Sequence, residues 1–206
     1  MSLLRRAVER QPRTGVLIGA GQVGFVVFLA VCVALHPGFV LKADEGGISN
    51  YGIHVKTVVP YTLAFASCAG FSWAAARHCP TDDPGQRGLH RLLVVYSGLL
   101  LVTLASTYGY SLDVVWKDVH VVIGAALVVF EVVGSVWMYL RLGGRCDALF
   151  LAVQLIGFVL AGVTLVGLLH VLFLGQALAT VGFGLLLIRS GCAVPFDDRS
   201  NLTSGG

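Results

Sequence analysis

Residues 117–141 read KDVHVVIGAALVVFEVVGSVWMYLR. Between the flanking charges, Lys117 and Asp118 on one side and Arg141 on the other, lie about 20 mostly apolar residues, enough for one helical crossing of a bilayer. Two ionisable side chains interrupt that run, His120 and Glu131, eleven positions apart. On a helix this is three turns plus about 20°, so they share a face, roughly 16 Å apart along the axis. Gly124, Leu127, Gly134, Ser135 and Met138 lie close to the same stripe. Glu131 falls near the expected membrane midplane and His120 near one edge. A carboxylate at that depth costs about 2.5–3.5 kcal/mol on insertion scales. The helix must hide it against other helices, protonate it or supply it with water.

The rest of the chain has the same character. Of 206 residues 56% are hydrophobic and only 12% charged, and the mean hydropathy is +0.84. That composition excludes an ordinary soluble domain and fits one compact membrane bundle. A net charge of +3, scattered along the chain, gives no footing for a nucleic-acid partner. The first apolar run, from about Val16, is long and lacks a small-residue cleavage site, so it reads as an anchor that stays. The five cysteines show no CxxC or Cys/His spacing, which points to neither a zinc site nor a disulfide framework.

The pattern divides into a basic N-terminal segment (1–14), a six-helix transmembrane domain (15–189) and a flexible tail (190–206). The expected fold is an all-α integral membrane protein, a six-transmembrane-helix bundle with both termini cytoplasmic. Helix one runs from about Gly15 to Leu41, with Gly15 and Gly19 as a close-packing pair and His36-Pro37-Gly38 ending or bending it. Helix two spans Thr57 to Ala76 and helix three Leu92 to Tyr108. The 117–141 stretch is helix four. Ala148 to Ile188 is twice as long as the roughly 30 Å hydrocarbon core requires. It must fold into a hairpin that turns near Gly167–His170. With the N-terminus inside, eleven arginines fall on inner segments, and only Lys42, Lys56 and Lys117 fall outside. The bias follows the positive-inside rule and favours an even helix count.

That topology sets His36, His54, His120 and His170 at outer helix ends, with Asp44, Glu45, Asp113 and Asp118 in the adjoining loops. Imidazoles and carboxylates at one level suit a divalent metal, and histidines on facing helices suit haem. The plainer reading is that amphipathic histidines rest comfortably at an interface, so no cofactor is expected, with haem or a divalent metal as the alternative. For Glu131, a lock with Gln22, Gln154, Thr164 or Gln176 competes with a lipid-headgroup role or a proton-carrying role in a small transporter. GxSxG, HExxH and a Gly-rich nucleotide loop followed by lysine are all absent, so the expectation is a protein that is not an enzyme.

Ile48-Ser49-Asn50-Tyr51-Gly52 resembles the Ile-Ser-Asp-x-Gly element that leads into helix two of the DRAM/Frag/Sfk-like six-transmembrane family. His120 resembles that family's histidine at the outer start of helix four, and the shared plan covers about residues 14–189. Asn50 stands where the family has an acidic residue, and the following proline comes later, at Pro60. The resemblance implies a non-enzymatic membrane protein from a family linked to lipid organisation, and the expected role is that of an accessory or lipid-handling component. The Gly/Ala/Val/Arg-rich composition reads as bacterial, hence a multi-pass protein of the plasma (inner) membrane. Expected partners are membrane lipids and other membrane proteins. The candidate binding residues are Glu131, His120, Asn50, Tyr51, His54, Asp118 and His170. The 42–56 loop is expected to be ordered, with Asn50 closing a side-chain turn, Gly52 at a positive φ, and Ile48, Tyr51 and Ile53 packed down.

The charge distribution makes the topology testable. Single cysteines introduced in 42–56 should react with an impermeant thiol reagent on intact cells, and those in 77–91 should not. Labelling of the second loop from outside would invert the bundle.

Overall fold

The computed structural model describes residues 3–42, 47–81, 83–110 and 114–193, and every regular element among them is helical. Helix α1 (Leu3–Leu35) stops at the His36-Pro37 step, and a short helix α2 (Gly38–Lys42) follows. The expected end at Leu41 therefore comes earlier, and α1 reaches back through the basic segment without a break. A 3-10 turn (Gly47–Ser49) and a one-turn helix α3 (Asn50–Ile53) lead into α4 (Val58–His78). Then come α5 (Pro84–Gly109), α6 (Val114–Leu142), α7 (Arg145–Leu165) and α8 (Leu172–Cys192). Six of these, α1 and α4 to α8, are long and apolar enough to cross a membrane. The chain is a multi-pass membrane protein. The long C-terminal run breaks at 166–171, where Gly167 takes a φ of +77° and Val171 N–H donates to Thr164 Oγ1 at 3.2 Å.

The membrane-length helices form a ring in which α1 lies between α4 and α8, α4 touches α5, and α5 touches α6. Helix α6 closes the ring against α7 and α8 more sparsely than α5 packs on α4. Small residues decide the close contacts. A Cβ on Gly157 of α7 would come within 2.6 Å of Gly175 O, and a Cβ on Gly182 of α8 within 2.7 Å of Gln154 N. Lipid tails are as apolar as leucine, so helices in a bilayer associate through such close backbone packing. The expected Gly15/Gly19 pair is half right. Gly15 lies against Gly191 and Cys192 of α8, whereas Gly19 meets nothing within 4 Å. Gly21 and Gly24 make the α1–α4 approach, against Cys68, Phe71 and Ser67.

The helix ends remote from His120 are tied by polar contacts. Asp83 caps α5, accepting from Gln86 N–H at 2.7 Å. Arg141 donates to Gly85 O at 2.6 Å and packs on the Trp137 ring. Gly143, with φ +65°, turns the chain into α7. The wholly buried Asp147 accepts there from Gly144 N–H and from Arg189 Nε, both at 3.1 Å.

The α7–α8 contact should be the least forgiving of added volume. Gly157→Ala should destabilise the bundle by about 1–3 kcal/mol, the usual cost of overpacking. Gly98→Ala, at a site with nothing within 4 Å, should be neutral or mildly stabilising. Thermal unfolding in detergent compares the two, and equal midpoints would contradict this packing.

Candidate functional site

Helix α6 places the two ionisable groups of its apolar run as their spacing demands. His120, Glu131, Gly134, Ser135 and Met138 are its buried residues, so the polar stripe faces the ring interior. His120 is held at both ring nitrogens. Nδ1 pairs with Ser106 Oγ of α5 at 2.8 Å, and Nε2 with Ser49 Oγ of the 3-10 turn at 2.7 Å. A neutral imidazole donates at one nitrogen and accepts at the other, and a hydroxyl can answer either way. His120 thus joins α5, α6 and the segment before α4.

That segment is fastened from other sides as well. Ile48 N–H donates to Gln176 Oε1 of α8 at 2.8 Å, and Thr57 Oγ1 donates to Tyr51 O at 2.7 Å. Gly47 adopts φ +54°, and a Cβ there would collide with the Gln176 amide. Ile48 and Tyr51 are buried as expected, but Ile53 points outward. The expected positive φ at Gly52 is wrong, because this glycine lies inside α3. Its missing side chain serves close approach instead: a Cβ would fall 2.6 Å from Tyr61 Cε1. Asn50 opens α3, and it is Ser49, not Asn50, whose side chain bonds His120.

Tyr51 is fully buried in an aromatic group. Its ring packs edge-on to Phe39 and Phe173, at 5.4 and 6.0 Å between centroids, and its hydroxyl donates to His36 O at 3.4 Å. Burial above all, with the nearby Cys32 adding to it, holds the Tyr51 phenol above its usual pKa. His36 and His54 join this group, 4.5 Å apart. The four histidines expected at the outer helix ends are therefore not one cluster. His120 stands with its two serines, and His170 lies exposed in the α7–α8 link. Asp118 is exposed on α6, while Asp44, Glu45 and Asp113 fall outside the described residues. Among the described residues, no three His, Cys, Asp or Glu side chains are grouped to hold a metal ion.

Glu131 is 5% exposed and lies on the wall of a cavity of about 290 Å³. Its expected amide partners are engaged elsewhere or stand apart. Gln22 Nε2 donates to Cys68 Sγ at 3.5 Å, Gln176 holds Ile48, and Thr164 serves the α7–α8 link. Gln154 is fully buried with neither amide atom hydrogen-bonded, and α8's close approach at Gly182 holds it on the α7–α8 seam. The glutamate lock is therefore not formed.

The cavity runs from His120, Ser49 and Gln176 at one end down to Glu131 and Tyr96. Phe25 and Phe65 reach it from α1 and α4. Five of its lining residues are exposed, namely Val121, Ala125 and Val129 of α6 and Phe158 and Leu165 of α7. The opening is thus the gap between those two helices. Ser49, Ser106 and Tyr96 were not singled out from sequence. Ser49 had a signal, its place in the quoted pentapeptide. Ser106 and Tyr96 sit unmarked among the polar residues of α5. No known protein family, curated protein or solved structure matches this chain.

Breaking the serine–histidine bridge should loosen the 47–53 segment before the bundle itself. His120→Ala removes two hydrogen bonds and should cost about 1–3 kcal/mol locally. Amide exchange in 47–53 should quicken while that of the α4 and α5 interiors stays unchanged. Unaltered exchange in 47–53 would show that the bridge does not hold this segment.

Proposed function

We propose that this is a non-catalytic lipid-handling protein of a bacterial inner membrane, which admits the apolar chain of an amphiphile from the bilayer into the α6–α7 cavity. One observation carries the reading: among the described residues, every exposed one on the cavity wall belongs to α6 or α7. On a membrane-spanning bundle, a gap between two adjacent helices opens sideways into hydrocarbon. At about 290 Å³ the cavity lies near the lower end of small-ligand sites, which run roughly 300–1,000 Å³. Its wall is mostly apolar with a few convergent polar groups, the composition that such sites share. The segment carrying Ser49 and Ile48 closes the His120 end, so entry from the bilayer is the open route. A lipid-handling role also agrees with the resemblance carried by Ile48–Gly52 and His120.

Protein purified in mild detergent should carry one tightly held amphiphile, recovered by solvent extraction and identified by mass spectrometry. Ala125→Trp places an indole in the gap and should lower that recovery severalfold while the protein still elutes as a single species. Equal recovery from both proteins, or a Soret band in place of extracted lipid, would overturn the reading.

A further inference from the structure

Among the described residues, Glu131 is the only acidic group on the cavity wall, and the wall holds no lysine or arginine. The carboxyl is more than nine-tenths buried, and no described residue hydrogen-bonds it. Both its oxygens are therefore open to a donor that enters the cavity. A buried polar group left unpaired is costly, so such a donor gains more here than it would at a surface. Of the polar groups around it, Gln22 donates to Cys68 Sγ, which lies 3.8 Å from Tyr96 Oη, whereas Ser135 Oγ one turn along α6 and Thr103 Oγ1 on the wall are buried with no hydrogen bond to a described residue. His120, the one other base among the described residues of the wall, spends both nitrogens on serines.

The chemistry of the wall selects the head group. A phosphate or a carboxylate would find no cation here and would face Glu131. A nitrogen donor would find a carboxyl, with the rings of Phe25, Phe65, Tyr96 and Phe158 on the same wall. Aromatic faces attract cations, more strongly where water is excluded. An amine and a carboxyl also enter hydrocarbon together without net charge. The proton lies on oxygen or on nitrogen, and the pair is neutral overall in both arrangements.

We infer that the cavity binds a lipophilic amine, its nitrogen on Glu131 and its hydrocarbon chain leaving between α6 and α7. This rests on the proposal that the cavity is filled from the bilayer, and it names the class of amphiphile.

The test uses the full chain in nanodiscs of zwitterionic phosphatidylcholine, with radiolabelled dodecylamine, dodecanol and dodecanoate as probes. Dodecylamine should bind saturably, and the alcohol and the acid about tenfold or more weakly, the worth of one charge-assisted hydrogen bond. Glu131→Gln should bring the amine down to the level of the alcohol, and Glu131→Asp should retain part of the preference. A monodisperse Glu131→Gln protein that still prefers the amine would overturn the inference. So would amine and alcohol binding alike to the unaltered chain, although a chain-binding cavity would then stand. Saturable binding of none of the three probes would remove both the inference and the lipid-handling reading beneath it.

Discussion

A carboxylate in the middle of a membrane-length apolar helix, as Glu131 is in α6, costs about 2.5–3.5 kcal/mol if it is left to hydrocarbon, and much of this bundle follows from avoiding that. Helix α6 turns its polar stripe inward, so His120, Glu131 and Ser135 are buried while Val122, Val129 and Val133 face outward. The ring interior must then offer room for the stripe. It does so by leaving α6 sparsely packed on α7 and α8, and the space left over is the cavity. The same placement that shelters the carboxyl thus creates the cavity.

Backbone chemistry sets the second constraint. Hydrocarbon supplies no hydrogen bonds, so the crossings must be helices, and each connection needs its own donors and acceptors. At the His120 end that need is met by side chains reaching from the bundle. Gln176 answers Ile48 N–H, Thr57 answers Tyr51 O, and His120 holds Ser49. The segment before α4 is therefore part of the bundle's end wall. At the opposite end, Asp83, Arg141, Asp147 and Arg189 do the corresponding work with charges. Charge is tolerated there because the Arg189 side chain remains half-exposed.

Close packing is distributed unevenly for a physical reason. Association in lipid rests on van der Waals contact, so it is strongest where backbones meet. Gly157, Gly175 and Gly182 bring α7 onto α8, and Gly15, Gly21 and Gly24 fit α1 between α8 and α4. The inner face of α6 carries larger groups, and of its glycines Gly134 lies against Leu92 and Phe183 while Gly124 meets nothing within 4 Å. The tight side of the ring holds the fold, and the loose side holds the space.

Much of this was legible in the chain itself. Six apolar runs of bilayer length, the break near Gly167 and the inward stripe of α6 all follow from local periodicity and from the cost of polar groups in lipid, which each helix meets on its own. Partners were another matter. Gln154 and Gln22 looked equally fit to hold Glu131, yet Gln22 turns to Cys68 and Gln154 lies unpaired on the α7–α8 seam. Gly52 looked like a turn residue and proves to be a contact residue, and the four histidines expected at one level separate into a pair, a serine-held bridge and an exposed link residue. Each of these depends on how helices distant in sequence are rotated and spaced about one another. Periodicity fixes only which face of a helix is polar. Which neighbour meets that face, and how closely, is decided when the small residues of all six helices pack together.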